Sequence, residues 1–149
     1  MSKTNVKVRV SAIIFYENQL VVTKHFVEGF GEYYLLPGGG LEIGESPNES
    51  IERECREELG VEILIERLLY YKTGYTDKET YLELIFLCKC KEFNFNIPSN
   101  EENVKEIHYI KSEKELRNIN FFPKQIIDKV FKKLPLSPEF LGKFEYPEK

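Results

Sequence analysis

Gly39-Gly-Leu-Glu-Ile-Gly-Glu45-Ser-Pro-Asn-Glu-Ser-Ile-Glu-Arg53-Glu54-Cys55-Arg56-Glu57-Glu58-Leu59-Gly60-Val61 is the stretch in which the chain declares its local structure most plainly. Ser46-Pro47-Asn48-Glu49 is a capping box with proline at the first helical position, and Gly60 stands where a helix closes in the left-handed conformation. The spacing predicts a helix over 47–59. On such a helix Glu54, Glu57 and Glu58 fall at i, i+3 and i+4, so three carboxylates leave one face toward a common point. Ile51, Cys55 and Leu59 form a separate apolar stripe that can hold the helix on a sheet.

Acids clustered in this way repel one another by a few tenths of a kcal/mol per pair on an exposed helix, roughly, and by more if desolvated. A divalent cation neutralises them, and hard oxygen donors suit Mg²⁺, with Mn²⁺ as a substitute. The competing reading is a solvated face, because Glu49 with Arg53, Glu52 with Arg56 and Arg53 with Glu57 all have ion-pair spacing. The wider pattern weighs against it. Seven identities (Gly39, Glu45, Arg53, Glu54, Glu57, Glu58, Gly60) occur at set spacing, and at an average usage of about 7% each, chance supplies them roughly once in 10⁸ positions.

Upstream, Leu35-Leu36-Pro37-Gly38-Gly39-Gly40 carries a proline and three glycines that argue against regular structure and let backbone approach a ligand closely. Val8 to Tyr16 and Leu20 to Thr23 read as a hairpin turning at Glu17-Asn18, followed by a loop from His25 to Tyr33. Downstream, Val61 to Tyr71 and Tyr81 to Cys90 read as strands. In the second, Leu82, Leu84, Phe86, Cys88 and Cys90 share one face at the strand period, so the cysteines are expected as packing. Phe93 to Asn103 reads as an exposed loop and Ile107 to Ile110 as a short strand. Helical patterns return at Ser112 to Arg117 and at Lys124 to Leu134. One domain over 1–149 is expected, with 135–149 a loosely held tail.

The 149 residues are 42% hydrophobic, 31% charged and 13% aromatic, with eleven Phe, nine Tyr and no Trp, an ordinary globular composition able to bury a core. A net charge of -4 gives no overall positive field toward duplex nucleic acid or an anionic membrane. Three cysteines are too few and odd in number for a disulfide framework, and no second cluster completes a zinc set. Neither a signal peptide nor a membrane span is legible, so a cytoplasmic protein is expected.

Residues 39–61 resemble the signature of the Nudix hydrolases: G, five residues, E, seven residues, R-E-U, one residue, E-E, one residue, G-U, with U bulky and aliphatic. Cys55 at the first U is the one departure, and a buried thiol is a small hydrophobe. Leu35 to Gly40, the opening hairpin and Glu106-Ile-His-Tyr-Ile110 extend the similarity to about 130 residues. The resemblance implies an α+β fold in which a mixed, mainly antiparallel sheet lies between helices, α/β/α. It also implies a Mg²⁺-dependent attack of water on the diphosphate of a nucleoside diphosphate linked to another moiety. Many relatives form homodimers.

By that resemblance Glu54, Glu57 and Glu58 bind the metal, with the Gly38 carbonyl as a further ligand. Arg53 and Glu45 position these carboxylates, since an arginine fork cannot ligate a metal but can orient an acid. Glu54 is the first candidate for general base; Glu102, four residues before the Glu106 strand, is the loop alternative, unless that segment is only an exposed acidic loop. Glu83 is a weaker candidate. Arg9 is expected to contact phosphate, and Phe30 and Tyr34, among the aromatics Phe26, Phe30, Tyr33 and Tyr34, to stack on a base unless they merely pack. His25 and His108 sit in no metal spacing and receive no role. A nucleotide or nucleotide-sugar sensor of the same fold, with vestigial catalysis, is the second hypothesis; such proteins commonly lose the acids that this chain keeps.

Overall fold

Polar residues give way to apolar ones along β1 (Asn5–Ile13), and the computed structural model, which describes residues 3 and 5–146, sets this strand inside a sheet. It does not form the arm of a hairpin, as expected from Val8 to Tyr16. The strand ends at Ile13, and only β2 (Phe15–Tyr16) folds back on β3 (Gln19–Val27). Glu17 and Asn18 take φ of 49° and 63°, the left-handed pair that a two-residue hairpin turn requires.

The expected loop from His25 to Tyr33 is also a hairpin. Strand β3 runs on to Val27, and β4 (Gly31–Leu35) pairs with it antiparallel, from Thr23 with Leu35 to Val27 with Gly31. Gly29 and Gly31, with φ of 85° and 97°, make the turn between them. The glycine-rich stretch is likewise more regular than its composition suggests. Gly38–Gly40 form a short strand, β5, whose backbone pairs with β1 at Arg9, Val10 and Ser11.

Helix α1 (Pro47–Leu59) begins and ends where its caps dictate. The Glu49 amide donates to Ser46 Oγ at 3.1 Å, the Ser46 amide donates to Glu49 Oε1 at 3.2 Å, and Gly60 closes the helix at φ 66°. Beyond it, β6 (Ile63–Tyr75) and β7 (Glu79–Cys90) form a long antiparallel pair. Strand β8 (Glu106–Ile110) returns to β3, a short helix α2 (Glu113–Arg117) follows, and β9 (Phe121–Phe122) lies parallel to β4.

The expected helix over Lys124 to Leu134 is reduced to a single 3₁₀ turn at Lys124–Ile126 and successive turns after it. The bonds from Ile127 N to Lys124 O, Lys129 N to Ile126 O and Lys132 N to Lys129 O span three residues, only Val130 N to Ile126 O among those described spans four, and Ile126 and Val130 still reach the core. The apolar pattern is thus met without a regular helix. The expected tail also carries order, because β10 (Glu139–Glu145) lies parallel to β6 as the sheet's outer strand.

Two five-stranded sheets result. One is mixed, in the order β10-β6-β7-β1-β5, and the other runs β2-β3-β4-β9 with β8 also on β3. On one side Ile51, Cys55 and Leu59 of α1 pack with Val10, Ala12, Val21, Phe86, Cys88 and Cys90. On the other, Leu116 of α2 and Ile126 pack with Ile13, Leu20, Val22, Leu69 and Ile85. Helical segments thus cover both faces, the α/β/α arrangement expected. Burying Ile51 or Leu59 contributes about 1.5–3 kcal/mol each, enough to fix the face of α1 that turns outward. Among the described residues no helix is long and apolar enough to cross a membrane.

Candidate active site

Because the apolar stripe of α1 faces the sheet, its acidic stripe faces the β5 loop, and Arg53 ties the two together. Its Nε donates to Glu45 Oε2 at 2.6 Å and its Nη2 to Glu45 Oε1 at 3.0 Å, a two-pronged grip. Nη2 also donates to the Gly40 carbonyl at 3.1 Å, and Nη1 to Glu54 Oε1 at 2.9 Å and Glu57 Oε2 at 3.1 Å. The guanidinium, helped by the Glu42 amide, holds the Glu45 carboxyl down to about 2.

Glu54 and Glu58 press against the glycines. The Gly38 amide donates to Glu58 Oε1 at 2.7 Å, and a side chain on Gly39 would collide with the Glu54 carboxyl. Gly38 itself backs onto the Val10 carbonyl so closely that no β-carbon fits. Burial pushes Glu58 up to about 8 against the pull of the Gly38 N–H, and burial also raises Glu54 against the pull of Arg53. Glu57 is half-exposed.

These groups line a polar cavity of about 520 Å³, whose wall includes Gly38, Gly39, Arg53, Glu54, Glu57 and Glu58. Glu101 and Glu102, from the segment between β7 and β8, close it on the opposite chain segment, as do Arg9 of β1 and His25 of β3. Glu102 therefore reaches the same cavity as the helix acids, across more than forty residues of sequence. His25, given no role from sequence, is buried there beside Tyr33 with ring centroids 5.2 Å apart, and its Nε2 lies 2.8 Å from Thr23 Oγ1. The lone histidine carries no local signal; only the β3–β4 hairpin reveals its position.

Among the described residues no three His, Cys, Asp or Glu side chains stand close enough to hold a metal ion as they are placed, and Glu54 and Glu57 both accept from Arg53 Nη1. The donor set nevertheless fits a hard divalent cation in kind: three carboxylates line one wall, and the innermost, Glu58, is kept by burial from ionising easily. A cation at that wall would relieve this penalty.

A second cavity, of about 530 Å³ and mostly apolar, adjoins the first and shares Arg9 and Leu35 with it. Phe30 lines it, along with Tyr81, Phe122 and Tyr146. Tyr34, the other aromatic expected to stack on a base, lines neither cavity. Strand alternation turns it the opposite way from Tyr33, and its ring packs edge-on against His108 at 5.3 Å. Glu83, in the apolar cavity and not the polar one, stands 3.6 Å from Arg9.

A family model described as NUDIX domain matches residues 6–130. The chain is 34% identical over 84 residues to the nucleoside triphosphatase NudI of Enterobacter sp. (strain 638), covering 49% of this chain and 58% of that protein. It is 26% identical over 151 residues to the RNA pyrophosphohydrolase of a Nitratiruptor species, covering 87% and 94%. The chain spans 29% and 58% of the length of two of the curated relatives it matches. A NUDIX hydrolase structure from Nitrosomonas europaea superposes with a TM-score of 0.71 at 21% identity, covering 97% of this chain and 81% of that one.

Proposed function

The chain belongs to the NUDIX family, and from that membership we propose that it is a Mg²⁺-dependent hydrolase cleaving the phosphoric anhydride of a nucleoside diphosphate derivative. The observation that carries this reading is the convergence of Glu54, Glu57 and Glu58 with Glu102 and Arg9 on one polar cavity beside an aromatic one. A charged linkage sits in the first and an organic group in the second.

Glu54, Glu57, Glu58 and the Gly38 carbonyl would hold the metal, with Mn²⁺ able to replace Mg²⁺. When bound, it neutralises phosphate charge and lowers the pKa of water. The chain's own residues do the rest. Arg53 fixes the orientation of Glu54 and Glu57, and Glu45 fixes Arg53. Arg9, on the wall common to both cavities, neutralises the phosphate nearest the organic group. Water attacks phosphorus, the bridging P–O bond breaks, and the water proton passes to Glu54, whose carboxyl burial makes more basic. Glu102 is the second candidate for that proton.

The test is a panel of nucleoside triphosphates, ADP-ribose, nucleotide sugars and diadenosine polyphosphates, incubated with and without Mg²⁺ and resolved by chromatography. Metal-dependent release of a nucleotide from one class is the expected result. Tight binding of one class with no product at saturating Mg²⁺ would replace the enzyme by a sensor of the same fold.

A further inference from the structure

Arg9, Arg53 and Lys105 are the cations on the wall of the polar cavity among the described residues, and their surroundings distinguish them. Arg53 has no donor left for a ligand. A guanidinium carries five N–H groups, and those of Arg53 make five bonds, two to Glu45 and one each to Glu54, Glu57 and the Gly40 carbonyl. Arg9 stands on the wall shared with the apolar cavity, its Nε 3.6 Å from Glu83 Oε1. Lys24, next to His25 in sequence, is turned to the other face of β3, where Glu32 at 3.1 Å and Glu106 at 3.6 Å hold its ammonium. Lys105 is the cation that remains.

The segment carrying Lys105 is a built turn. The Glu101 amide donates to the Pro98 carbonyl at 3.0 Å, and Glu101 Oε1 accepts from the Asn103 and Val104 amides at 2.7 Å and 3.3 Å. Val104 is 4% exposed, and the Lys105 amide donates to the Lys24 carbonyl of β3 at 2.8 Å, so the main chain at Lys105 has a fixed place. Its side chain is exposed on the cavity wall, and Nζ donates to the Glu102 carbonyl at 3.2 Å, one bond for an ammonium with three donors. Glu101, Glu102, Asn103 and Lys105 line the polar cavity and not the apolar one. Arg9 therefore marks the part of the polar cavity next to the organic group, and Lys105 a part that the apolar cavity does not share.

We propose that Lys105 binds a terminal phosphate, so that the substrate class is a nucleoside triphosphate and not a nucleoside diphosphate closed by a neutral sugar. The proposal rests on the hydrolase reading of the carboxylate wall. With the organic group in the apolar cavity and the first phosphate at Arg9, a chain of three phosphates carries its last and most charged group past the α1 acids to the 101–105 turn. Glu101 and Glu102 alone would repel that group, and the Lys105 ammonium offsets them. Its hydrogen bond to a phosphate oxygen is charged on both sides; one to a sugar hydroxyl is charged on one side only.

Steady-state kinetics of the full chain with ATP and with ADP-ribose at saturating Mg²⁺, on the wild type, Lys105→Gln and Lys105→Arg, tests this. ATP is expected to be the better substrate. Lys105→Gln should lower the ratio of kcat/KM for ATP to that for ADP-ribose by about 10-fold, through KM. Lys105→Arg keeps the charge and should hold the ratio within about threefold of the wild type. The side chain is exposed, so both variants should melt with the wild type. An unchanged ratio in Lys105→Gln, a fall confined to kcat, or better turnover of ADP-ribose than of ATP by the wild type overturns the proposal and leaves the hydrolase. If neither compound is hydrolysed the hydrolase reading fails, and calorimetric titration of the same proteins with the same compounds and Mg²⁺ reads the ratio as dissociation constants. Equal binding of the two compounds, or none, then overturns the assignment of Lys105 as well.

Discussion

Arg53 grips Glu45 through Nε and Nη2 at 2.6 Å and 3.0 Å, joining the middle of α1 to the loop that precedes it. With the same guanidinium on Glu54, Glu57 and the Gly40 carbonyl, one side chain fixes the spacing of helix and loop. Lysine keeps the charge but has no planar fork. Arg53→Lys should therefore remain folded and lose about 10–100-fold in kcat/KM, with the Mg²⁺ concentration for half-maximal activity rising. Unchanged metal dependence in a metal titration of the rate would separate Arg53 from the carboxylates.

Glu57 is half-exposed, and its partner Arg53 keeps Glu45 and Glu54 without it, so removing its charge leaves the fold undisturbed. Glu57→Gln should melt within a degree or two of the wild type and lose more than about 100-fold in turnover at saturating Mg²⁺, a larger effect than loss of a residue that only orients ligands. Full metal-dependent activity in this variant would falsify the role given to Glu57.

Gly38 has no room for a β-carbon against the Val10 carbonyl, and Ser11 Cα would lie 2.8 Å from it. Gly38→Ala should cost about 1–3 kcal/mol and lower the melting temperature by several degrees. The displaced backbone also carries the N–H that Glu58 accepts, so activity should fall further than stability alone explains. Calorimetry and kinetics on one preparation would separate the two losses.

Burial first, and Arg9 second, hold His25 below the ordinary imidazole value, against the pull of Glu101 and the Asn103 backbone. The folded state thus binds a proton less readily than the unfolded one. The contribution is fully present above about pH 6.5 and is lost as pH falls through the lowered value. Between about pH 7.5 and about pH 5.5 the wild type should lose more unfolding free energy in urea than His25→Gln does. Parallel curves for the two proteins would show that His25 does not report folding.

The helix of the opening stretch was legible because its determinants are local: Ser46, Glu49 and Gly60 act within a few residues, and Ile51, Cys55 and Leu59 repeat at helical period. The β3–β4 hairpin was not, because Phe26, Val27 and Phe30 stay exposed at its tip and erase the alternation that marks a half-buried strand. Three glycines at 38–40 read as loop, yet each pairs with β1, where the lack of a side chain lets Glu54 and Glu58 lie against the backbone. The helix acids could be found from spacing. The approach of Glu102 and His25 to them is set by the pairing of β3 with β4 and β8, and the choice of Tyr33 over Tyr34 by a parity of one residue.

Cys55, Cys88 and Cys90 all lie in the packed layer beneath α1, and burial raises all three thiols, Cys88 to about 12 and Cys90 to about 11. A chain so arranged carries its own clock. While the helix is seated no thiolate is offered to an alkylating reagent, so the rate of labelling counts the moments when α1 lifts from the sheet. Any ligand that binds across the outer face of α1 and the β5 loop should slow that clock, and the slowing can be read by mass spectrometry without an assay for turnover.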